Sequence, residues 1–462
     1  MSSLWESLAQ PGASPTATFH GRLRSIELAQ FRASSMLGDH LGTLRDRVVL
    51  IATEDQLHTA LALVELDGIA RSIVLCTPDL TREQLAHVAT AANAHAIVLE
   101  TGAAIEPPPG PLRCWMTPRP VARTLRAPIQ REATLVTEWI LLTSGTTGTP
   151  KLVSHTLDSL SGTLPRQLAN GGPVVWSTFY DIRRYGGLQI LLRSIMGGTD
   201  LVLSSADEPV DAFLARAGAA AVTHISGTPS HWRRALMSGA ADRINPRYVR
   251  LSGEIADQAV LDNLRAAYPS AHIAHAFAST EAGVAFDVED GLAGFPADYI
   301  EGSRAGVEMR VEDGTLRIRS RRIASRYLGG GADALSGADG FVDTGDLVEL
   351  INGRYYFRGR RGGVINVGGL KVHPEEVESV LNADPRVRMS LVRARRSPIT
   401  GAVVVADVVL ADAALGGGAE QLKSELLGTC RSLLAAHKVP TSLRFVPTLE
   451  MTAAGKLVRP NA

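Results

Sequence analysis

Residues 141–151 read Leu-Leu-Thr-Ser-Gly-Thr-Thr-Gly-Thr-Pro-Lys, and no other stretch of the chain is as informative. Two glycines remove Cβ atoms where backbone N–H groups can converge on an anion. The hydroxyls add hydrogen-bond donors, and the lysine adds a compact positive charge. The stretch is typical of a phosphate-binding loop. The residues predicted to bind phosphate are Thr143, Ser144, Gly145, Thr146, Thr147, Gly148 and Lys151.

This loop differs from a Walker A loop, because Lys151 follows a proline and is followed by Leu152 instead of Ser or Thr. A flexible surface loop rich in small polar residues has a similar composition. Both interpretations stay open on this stretch alone, and the rest of the chain has to decide between them.

The composition limits the possible partners. A chain of 462 residues is too long for one ordinary hydrophobic core, so we predict two to four structural units. Lys plus Arg and Asp plus Glu both number 47, so no overall positive field would recruit nucleic acid or an anionic membrane. We therefore expect no nucleic-acid partner and no membrane partner.

The three cysteines, Cys76, Cys114 and Cys430, lie far apart in the sequence. They fit neither a disulfide framework nor a four-cysteine zinc site. The N-terminus lacks the pattern of a signal peptide, and no stretch approaches the ~20 apolar residues of a spanning helix. The sequence predicts a cytoplasmic protein.

Short apolar runs alternate with helical patterns in the first half of the chain. This order is typical of an α/β fold with a parallel sheet covered on both faces. The predicted strands lie at residues 47–51, 72–75, 96–99, 139–142, 174–175, 201–203 and 221–222. After the Gly/Thr loop, leucines at 157, 160, 164 and 168 predict a helix capped near Ser154 or Thr156.

The pattern changes near Arg304, where two runs with period-two alternation flank Asp313-Gly314 and predict a β-hairpin. A helix is expected to begin at Pro374, and a strand is expected at residues 403–405. We predict a large N-terminal domain of parallel-rich α/β layers with a β-rich subdomain (1–359). A small, mobile α+β C-terminal domain (360–462) would follow a hinge near residues 358–363.

Four further clusters follow the loop in order. They are Ala-Phe-Ala-Ser-Thr-Glu-Ala-Gly at 276–283, Asp-Thr-Gly-Asp at 343–346 with Phe-Arg-Gly-Arg at 357–360, the segment 365–378, and Thr-Ala-Ala-Gly-Lys-Leu-Val-Arg at 452–459. This ordered set resembles the adenylate-forming superfamily, which comprises acyl- and aryl-CoA ligases, adenylation domains of peptide synthetases, and luciferases.

The resemblance implies a reaction in two halves. A carboxylate attacks the α-phosphate of ATP to give acyl-AMP and pyrophosphate, and a thiol then displaces AMP. It also implies roles for single residues: Phe277 on adenine, Thr280 near the α-phosphate, Glu281 on Mg²⁺, Asp346 on the ribose hydroxyls with Arg360 beside it. The loop at 143–151 would hold the β- and γ-phosphates.

Lys456 is the predicted catalyst, together with Thr280 and Glu281. Attack by a carboxylate on a phosphate brings two anions together, so a fixed cation between them lowers the barrier. Gly368 and Gly369 resemble the glycines that line the CoA channel in this family, where a pantetheine arm has to pass bare backbone.

The acid pocket is predicted around Tyr185, Gly186, His224 and Gly253. Amino-acid-activating relatives place an aspartate where our alignment has Tyr185, so an α-amino acid is disfavoured. Arg183 and Arg184 could attract a second carboxylate or the CoA phosphates, but we interpret them as surface arginines. The resemblance does not identify the acid.

The leading interpretation is an acid–thiol ligase that uses ATP, Mg²⁺ and CoA with a small carboxylic acid, as a monomer or homodimer. The alternative is a stand-alone adenylation enzyme that loads an acyl or amino acid onto a carrier protein. A third class, a nucleotide-binding protein without chemistry, is disfavoured because Lys151, Glu281, Asp346, Arg360 and Lys456 are all present.

Overall fold

The fold was analysed in a computed structural model. It describes residues 3–8, 17–38, 40–100, 114–116, 135–143, 149–162, 164, 172–329, 334–397, 400–411 and 418–459. Of residues 114–116 only the backbone is described. Five predicted phosphate-binding residues, Ser144, Gly145, Thr146, Thr147 and Gly148, lie outside the described residues.

The helices of the described residues are numbered in chain order. They are α1 (Leu4–Ser7), α2 (Leu28–Phe31), α3 (His40–Thr43), α4 (Gln56–Leu66), α5 (Arg82–Ala91), α6 (Leu157–Ser161), α7 (Tyr185–Gly197), α8 (Val210–Ala219), α9 (Pro229–Met237), α10 (Gln258–Ala267), α11 (Pro374–Asn382) and α12 (Ala419–Leu433).

The strands are numbered in the same way. They are β1 (Thr18–His20), β2 (Ser25–Glu27), β3 (Val48–Ile51), β4 (Ser72–Leu75), β5 (Ala96–Val98), β6 (Cys114–Met116), β7 (Glu138–Thr143), β8 (Lys151–Thr156), β9 (Val175–Thr178), β10 (Asp200–Leu203), β11 (His224–Gly227), β12 (Tyr248–Ser252), β13 (His272–Ser279), β14 (Gly283–Val288), β15 (Phe295–Pro296), β16 (Ser303–Arg304), β17 (Val307–Glu312), β18 (Thr315–Ser320), β19 (Arg326–Leu328), β20 (Val342–Ile351), β21 (Arg354–Arg360), β22 (Ile365–Val367), β23 (Leu370–Val372), β24 (Val387–Ser397), β25 (Gly401–Leu410) and β26 (Ser442–Phe445).

Two large sheets form the N-terminal part. The first has the order β19-β8-β7-β4-β3-β5-β6, and the second has the order β14-β13-β12-β11-β9-β10-β1-β2. Their centres are parallel, as β3 with β4 and β11 with β12. All four residues of β3 and of β4 are buried, which is the pattern of a strand covered on both faces.

The main core lies between these sheets. Apolar residues of α4 and α7 pack there against β3, β4 and β7 on one side and β9 and β10 on the other. Helix α5 covers the outer face of the first sheet, and α8, α9 and α10 cover the outer face of the second. The result is a five-layer arrangement of helices and parallel-rich sheets, as expected from the sequence.

A six-stranded antiparallel sheet, β15-β21-β20-β18-β17-β16, forms the predicted β-rich region. The predicted hairpin joins β17 to β18, and Asp313 and Gly314 take φ values of 50° and 73° in its turn. The last part of the chain contains the sheet β24-β25-β26 with α11 and α12, an α+β unit with its own core. Helix α11 begins at Pro374, as predicted.

Two local predictions were wrong or need correction. Residues 221–222 are not a strand. Ala221 takes a φ of 52° and Val222 donates its N–H to Ala217, so both belong to the turn that ends α8, and β11 begins only at His224. The helix after the Gly/Thr loop is capped by Thr156, as predicted, but the described helix spans only Leu157–Ser161.

No helix in the described part of the chain is long and apolar enough to cross a membrane. Cys76 and Cys430 are free and buried, and the side chain of Cys114 is outside the described residues.

Candidate active site

The predicted phosphate loop connects two antiparallel neighbours, β7 and β8. Thr143 ends β7, Lys151 begins β8, and the two residues pair across the ladder. The Lys151 Nζ lies 5.4 Å from the centre of the Tyr327 ring. Tyr327 belongs to β19, which continues the same sheet beside β8. The two ends of the loop are therefore positioned by regular sheet pairing.

Thr280 and Glu281 follow β13 and lie beside the same strand pair. The Thr280 carbonyl is 2.7 Å from Nε2 of His155, a fully buried residue of β8. Burial lowers the pKa of His155 to about 4, so the ring is neutral and its Nε2–H donates a hydrogen bond to this carbonyl. The Tyr327 hydroxyl lies 3.5 Å from Glu281 Oε1. Glu281 and Lys151 thus share a neighbour, Tyr327, at one end of the cleft.

Phe277 lies on β13 and packs into the β-rich region. Its ring is parallel to that of Phe357, with centroids 5.1 Å apart and an interplanar angle of 8°. Phe357 belongs to β21, which pairs with β20. This stack connects the segment at 276–281 with the strands that carry Asp346 and Arg360.

Asp346 and Arg360 are partners across β20 and β21. Arg360 Nε donates to Asp346 Oδ1 at 3.1 Å, and its Nη2 donates to the Thr344 carbonyl at 3.1 Å. Burial raises the pKa of the Asp346 carboxyl, and the positive charges of Arg360 and Lys456 oppose this shift. The Asp346 side chain is 17% exposed, and a carboxylate of this kind is suited to accept hydrogen bonds from hydroxyl groups of a ligand.

Lys456 is delivered to the cleft by the C-terminal segment. The Gly455 carbonyl accepts a hydrogen bond of 2.7 Å from the Thr228 hydroxyl at the start of α9. The Leu457 N–H donates to Glu254 Oε1 at 3.1 Å, and Glu254 also accepts from the Ser230 N–H at 2.9 Å. Hydrogen bonds on both sides of Lys456 therefore fix this segment on the N-terminal part.

The Lys456 side chain lies beside Gly253. A Cβ built on this residue, which has a φ of 86°, would lie 3.4 Å from Lys456 Cε and 3.7 Å from Nζ. Desolvation lowers the pKa of Lys456, the carboxylates of Glu254 and Asp346 oppose this shift, and Arg360 and Arg184 add to it. The structure thus brings Lys456 together with Gly253, Asp346 and Arg360.

Tyr185 and Gly186 begin α7 and lie near the same end of β12. The Gly186 Cβ position is 3.4 Å from the Tyr180 ring, whose hydroxyl donates to the Ser252 carbonyl at 2.6 Å. His224, in contrast, opens β11 at the amino ends of the parallel strands, where its ring lies 4.7 Å from Trp176 and 5.6 Å from Tyr248. Gly253 and His224 thus mark opposite ends of the strands.

The interpretation of Arg183 as a surface arginine was wrong. Its side chain is 1% exposed and forms an ion pair of 2.7 Å with Asp181. It also donates to the backbone carbonyls of Thr53 and Glu54. Arg184 is partly exposed and pairs with Asp79 at 2.9 Å. Because Asp181 is committed to Arg183, it is not available to bind an α-ammonium group.

Gly368 and Gly369 form the turn between β22 and β23, with φ values of 58° and 90°. Gly368 donates to the Thr400 carbonyl at 2.9 Å, and Gly369 donates to Asn366 Oδ1 at 2.8 Å. Both partners belong to the C-terminal part of the chain, so that part alone positions the two glycines in this arrangement.

Several residues of the cleft were not found by sequence analysis. Tyr327 and Glu254 lie outside the recognised clusters. Phe357 lies within the cluster at 357–360, but no role was predicted for it. Arg250 was missed although one signal existed, because an arginine within the otherwise apolar strand Tyr248–Ser252 requires a special environment.

Comparisons with known proteins place the chain in a family. Residues 26–324 match the AMP-binding enzyme family, and residues 376–456 match the AMP-binding enzyme C-terminal domain. The chain is 28% identical over 339 residues to a 2-succinylbenzoate–CoA ligase of Listeria innocua, which covers 69% of this chain and 68% of that one. It is 38% identical over 108 residues to the human acyl-coenzyme A synthetase ACSM2A, covering 23% of this chain and 19% of that one.

A similar solved structure is the anthranilate CoA ligase AuaEII in complex with anthranoyl-AMP. The TM-score is 0.78 at 18% sequence identity, over 99% of this chain and 95% of that one, which shows a shared fold. The architecture and both family matches agree with the resemblance carried by the sequence clusters. The chain therefore belongs to the AMP-binding enzymes of the adenylate-forming superfamily.

Proposed function

We propose that this chain is an AMP-forming acid–thiol ligase that activates a carboxylic acid as acyl-AMP and transfers the acyl group to the thiol of CoA. The observation that carries the proposal is the position of Lys456. This cation, on a segment near the end of the described chain, reaches the side of Gly253 together with the charges of Asp346 and Arg360. The names of similar proteins, a 2-succinylbenzoate–CoA ligase and an acyl-coenzyme A synthetase, agree with this chemistry.

In the first half-reaction, the ammonium of Lys456 reduces the repulsion between the attacking carboxylate and the α-phosphate. Asp346 accepts the ribose hydroxyls, with Arg360 holding the carboxylate in place at 3.1 Å. Phe277 supports the adenine ring, and Thr280 donates its hydroxyl near the α-phosphate. The loop that begins at Thr143 and ends at Lys151 holds the outer phosphates.

Glu281 fits the requirements of a magnesium ligand. A magnesium ion on phosphates takes one or two carboxylates from the protein and keeps several waters. The contact of Glu281 Oε1 with the Tyr327 hydroxyl is 3.5 Å, at the limit of a hydrogen bond, so the carboxylate is free to bind a cation. The ion would neutralise charge on the phosphates during transfer.

In the second half-reaction, the C-terminal domain, which we take to begin near residue 360, would turn so that Gly368 and Gly369 face the thiol. The acid pocket would include Tyr185, Gly186 and Gly253, with His224 at the far end of the strands. The cytoplasmic location stays a prediction.

ATP–pyrophosphate exchange over a panel of carboxylic acids tests the first half-reaction, because it reports the acid without any thiol. We expect exchange with at least one acid, and its loss in Asp346→Asn. Exchange with no acid, under conditions in which ATP binds, would contradict the proposal.

A product assay of the activated acid distinguishes CoA from a carrier protein as acceptor. We expect acyl-CoA with free CoA and little transfer to a carrier protein that bears a phosphopantetheine arm. Efficient transfer to the carrier and none to CoA would instead support the alternative of a stand-alone adenylation enzyme.

A further inference from the structure

Two arginines lie in the core layer between α7 and the second sheet. Arg250 is 5% exposed and lies on β12, and Arg193 lies on α7 with its Cζ 5.9 Å from the centre of the Trp176 ring. Trp176, His224 and Tyr248 are direct neighbours across β9, β11 and β12. Because Arg250 is two residues beyond Tyr248, its side chain points to the same face of the sheet as these rings. We call Arg193, Arg250 and Trp176 the arginine cluster.

The arginine cluster has more positive charge and more donors than its protein partners satisfy. Arg250 Nε donates to Asp287 Oδ1 at 2.8 Å. Arg250 Nη2, Arg193 Nε and Trp176 Nε1 are buried and have no hydrogen-bond partner among the described residues. Burial and the charge of Arg250 lower the pKa of Arg193. A buried donor without a partner costs free energy, and a buried cation costs more.

Other charged groups around the cluster do not remove this excess. Arg322 adds a third guanidinium, which donates to the Val284 carbonyl at 3.0 Å and to the Ala305 carbonyl at 2.6 Å. Glu289 lies 3.5 Å from His272 at the half-exposed end of the strands. Among the described residues, Asp287 forms an ion pair with Arg250, and its negative charge also acts on Arg193.

The strand next to Arg250 carries small side chains on this face. Arg250 pairs with Ala274, and Ser252 pairs with Ala276, so Ala274, Ala276 and Ala278 occupy three successive positions of β13 on the same face. These alanines lead towards Thr280, which follows β13.

The distance between the arginine cluster and Lys456 limits the length of an acid that could reach both. Arg250 lies on β12 three residues before Gly253, which follows the end of this strand and lies beside the Lys456 side chain. Three residues of chain span at most roughly 10 Å. An acid whose carboxylate reacts beside Lys456 would therefore extend its other end towards Arg250 and Arg193.

We propose that the arginine cluster binds a second carboxylate of the acid substrate, so that the enzyme activates one end of a dicarboxylic acid. This inference rests on the proposed function. The second carboxylate would accept hydrogen bonds from Arg193, Arg250 and the Trp176 indole and would supply the missing negative charge. A monocarboxylic acid of the same length would leave these donors unpaired.

The test compares matched pairs of acids in ATP–pyrophosphate exchange. Each pair has the same carbon skeleton and differs only in a terminal carboxylate, and the skeletons include straight chains of increasing length and aromatic acids. We expect kcat/KM for the best diacid to exceed that of its monoacid by roughly 10- to 100-fold, the range expected of hydrogen bonds to charged groups. A higher kcat/KM for every monoacid would overturn the inference.

Variants at Arg193 connect this preference with the cluster. We expect Arg193→Gln to lose most of the diacid-to-monoacid ratio and Arg193→Lys to keep part of it, because lysine retains the charge. Arg265→Gln removes a positive charge from the exposed surface of α10 and should leave the ratio unchanged. The ratio is measured within one protein, so a partial loss of folded enzyme does not affect it. An unchanged ratio in Arg193→Gln would overturn the inference.

Calorimetry without ATP separates this inference from the proposed function. If the wild type binds the diacid more tightly than the monoacid and Arg193→Gln abolishes the difference, the cluster binds the second carboxylate even if no exchange occurs. If exchange occurs with monoacids and calorimetry finds no preference, the ligase function stands and the inference fails.

Discussion

At the scale of single residues, Lys456 is exposed and yet lies among charged groups of the cleft. An isolated surface charge contributes little. Here the methylenes of Lys456 lie beside Gly253, and the carboxylates of Glu254 and Asp346 oppose the lowering of the Lys456 pKa. These contacts are consistent with a cation that has to be held at one point in space, as the proposed adenylation requires.

We expect Lys456→Ala to lower the rate of adenylation by about 100- to 1000-fold, the effect of removing a donor that stabilises transition-state charge. The transfer of the acyl group from supplied acyl-AMP to CoA should remain near the wild-type rate. Pyrophosphate exchange and the thioester half-reaction measure the two steps separately.

Lys438→Ala is the matched control, because Lys438 lies in the same part of the chain and pairs with Glu376 at 2.8 Å, away from Lys456. It should keep both half-reactions. Normal exchange by Lys456→Ala would show that another group performs this role.

One buried histidine, His155, and two partly buried ones, His224 and His231, make stability depend on pH. Burial lowers the pKa of His155 and of His224 to about 4 and that of His231 to about 3, from an ordinary value of 6.5. Between the lowered pKa of each folded histidine and the ordinary pKa of 6.5, the unfolded chain binds more protons than the folded one. The free energy of unfolding should therefore be highest above pH 6.5 and fall as the pH decreases towards 4, by at most about 1.4 kcal/mol per pH unit for each histidine.

Urea unfolding across this range checks the effect. We expect a smaller slope in His155→Gln than in the wild type, since one of the three groups no longer titrates. His272→Gln changes a half-exposed histidine and serves as the control. Carboxylates that titrate in the same range contribute equally to all three proteins. Identical slopes in His155→Gln and the wild type would contradict the prediction.

At the scale of elements, the start of α7 depends on glycine at position 187. A Cβ at this position would lie 2.3 Å from the Asp181 carbonyl oxygen and 2.8 Å from Ile182 Cα, both of them backbone atoms. The preceding turn therefore packs directly on the helix, and it also carries Arg183, which is buried against the Thr53 carbonyl. This contact sets the position of Tyr185 and Gly186 relative to Gly253.

Gly187→Ala should destabilise the fold by about 1–3 kcal/mol, the usual cost of overpacking. Gly428→Ala is the matched control, because Gly428 lies within α12 with nothing within 4 Å of its Cβ position. Alanine there should stabilise the helix by about 0.5–1 kcal/mol. Urea unfolding compares the two variants, and equal stabilities would contradict the proposed packing.

At the scale of the whole molecule, two parts of the chain meet at the cleft, and polar contacts between described residues hold them there. The C-terminal segment is held by hydrogen bonds to Thr228 and Glu254, and Asn382 donates to Asp257 at 3.3 Å. Gly455 lies so close to His231 that a Cβ would be 1.8 Å from the imidazole ring. Polar contacts of this kind are consistent with a C-terminal part that leaves this position during the reaction cycle.

Gly455→Ala should prevent this docking and lower adenylation by about 100-fold, since small displacements of a catalytic group cost that much. The thioester half-reaction should change little. Gly401→Ala is the control, because Gly401 also has a positive φ, 75°, but nothing lies within 4 Å of its Cβ position. Equal adenylation by the two variants would show that the contact with His231 is not needed.

The sequence patterns predicted the fold class, the family and most of the strands. Buried parallel strands have a continuous apolar pattern, and the Gly/Thr loop and the four clusters keep their residue types because each has a local chemical role. The hairpin at Asp313-Gly314 and the start of α11 at Pro374 were predictable for the same reason, since a turn or a helix cap depends on neighbours in the sequence. The prediction of a strand at residues 221–222 was wrong because an apolar pair in a turn has the same pattern as the beginning of a strand.

Which charges meet depends on the tertiary structure. Arg183 looked like a surface residue and is buried with Asp181, while Arg193 and Arg250 come together from a helix and a strand that are far apart in the sequence. Likewise, the contact between Gly253 and Lys456 depends on the docking of the C-terminal segment. Burial and charge pairing are properties of contacts between distant segments, so no local pattern in the sequence contains them.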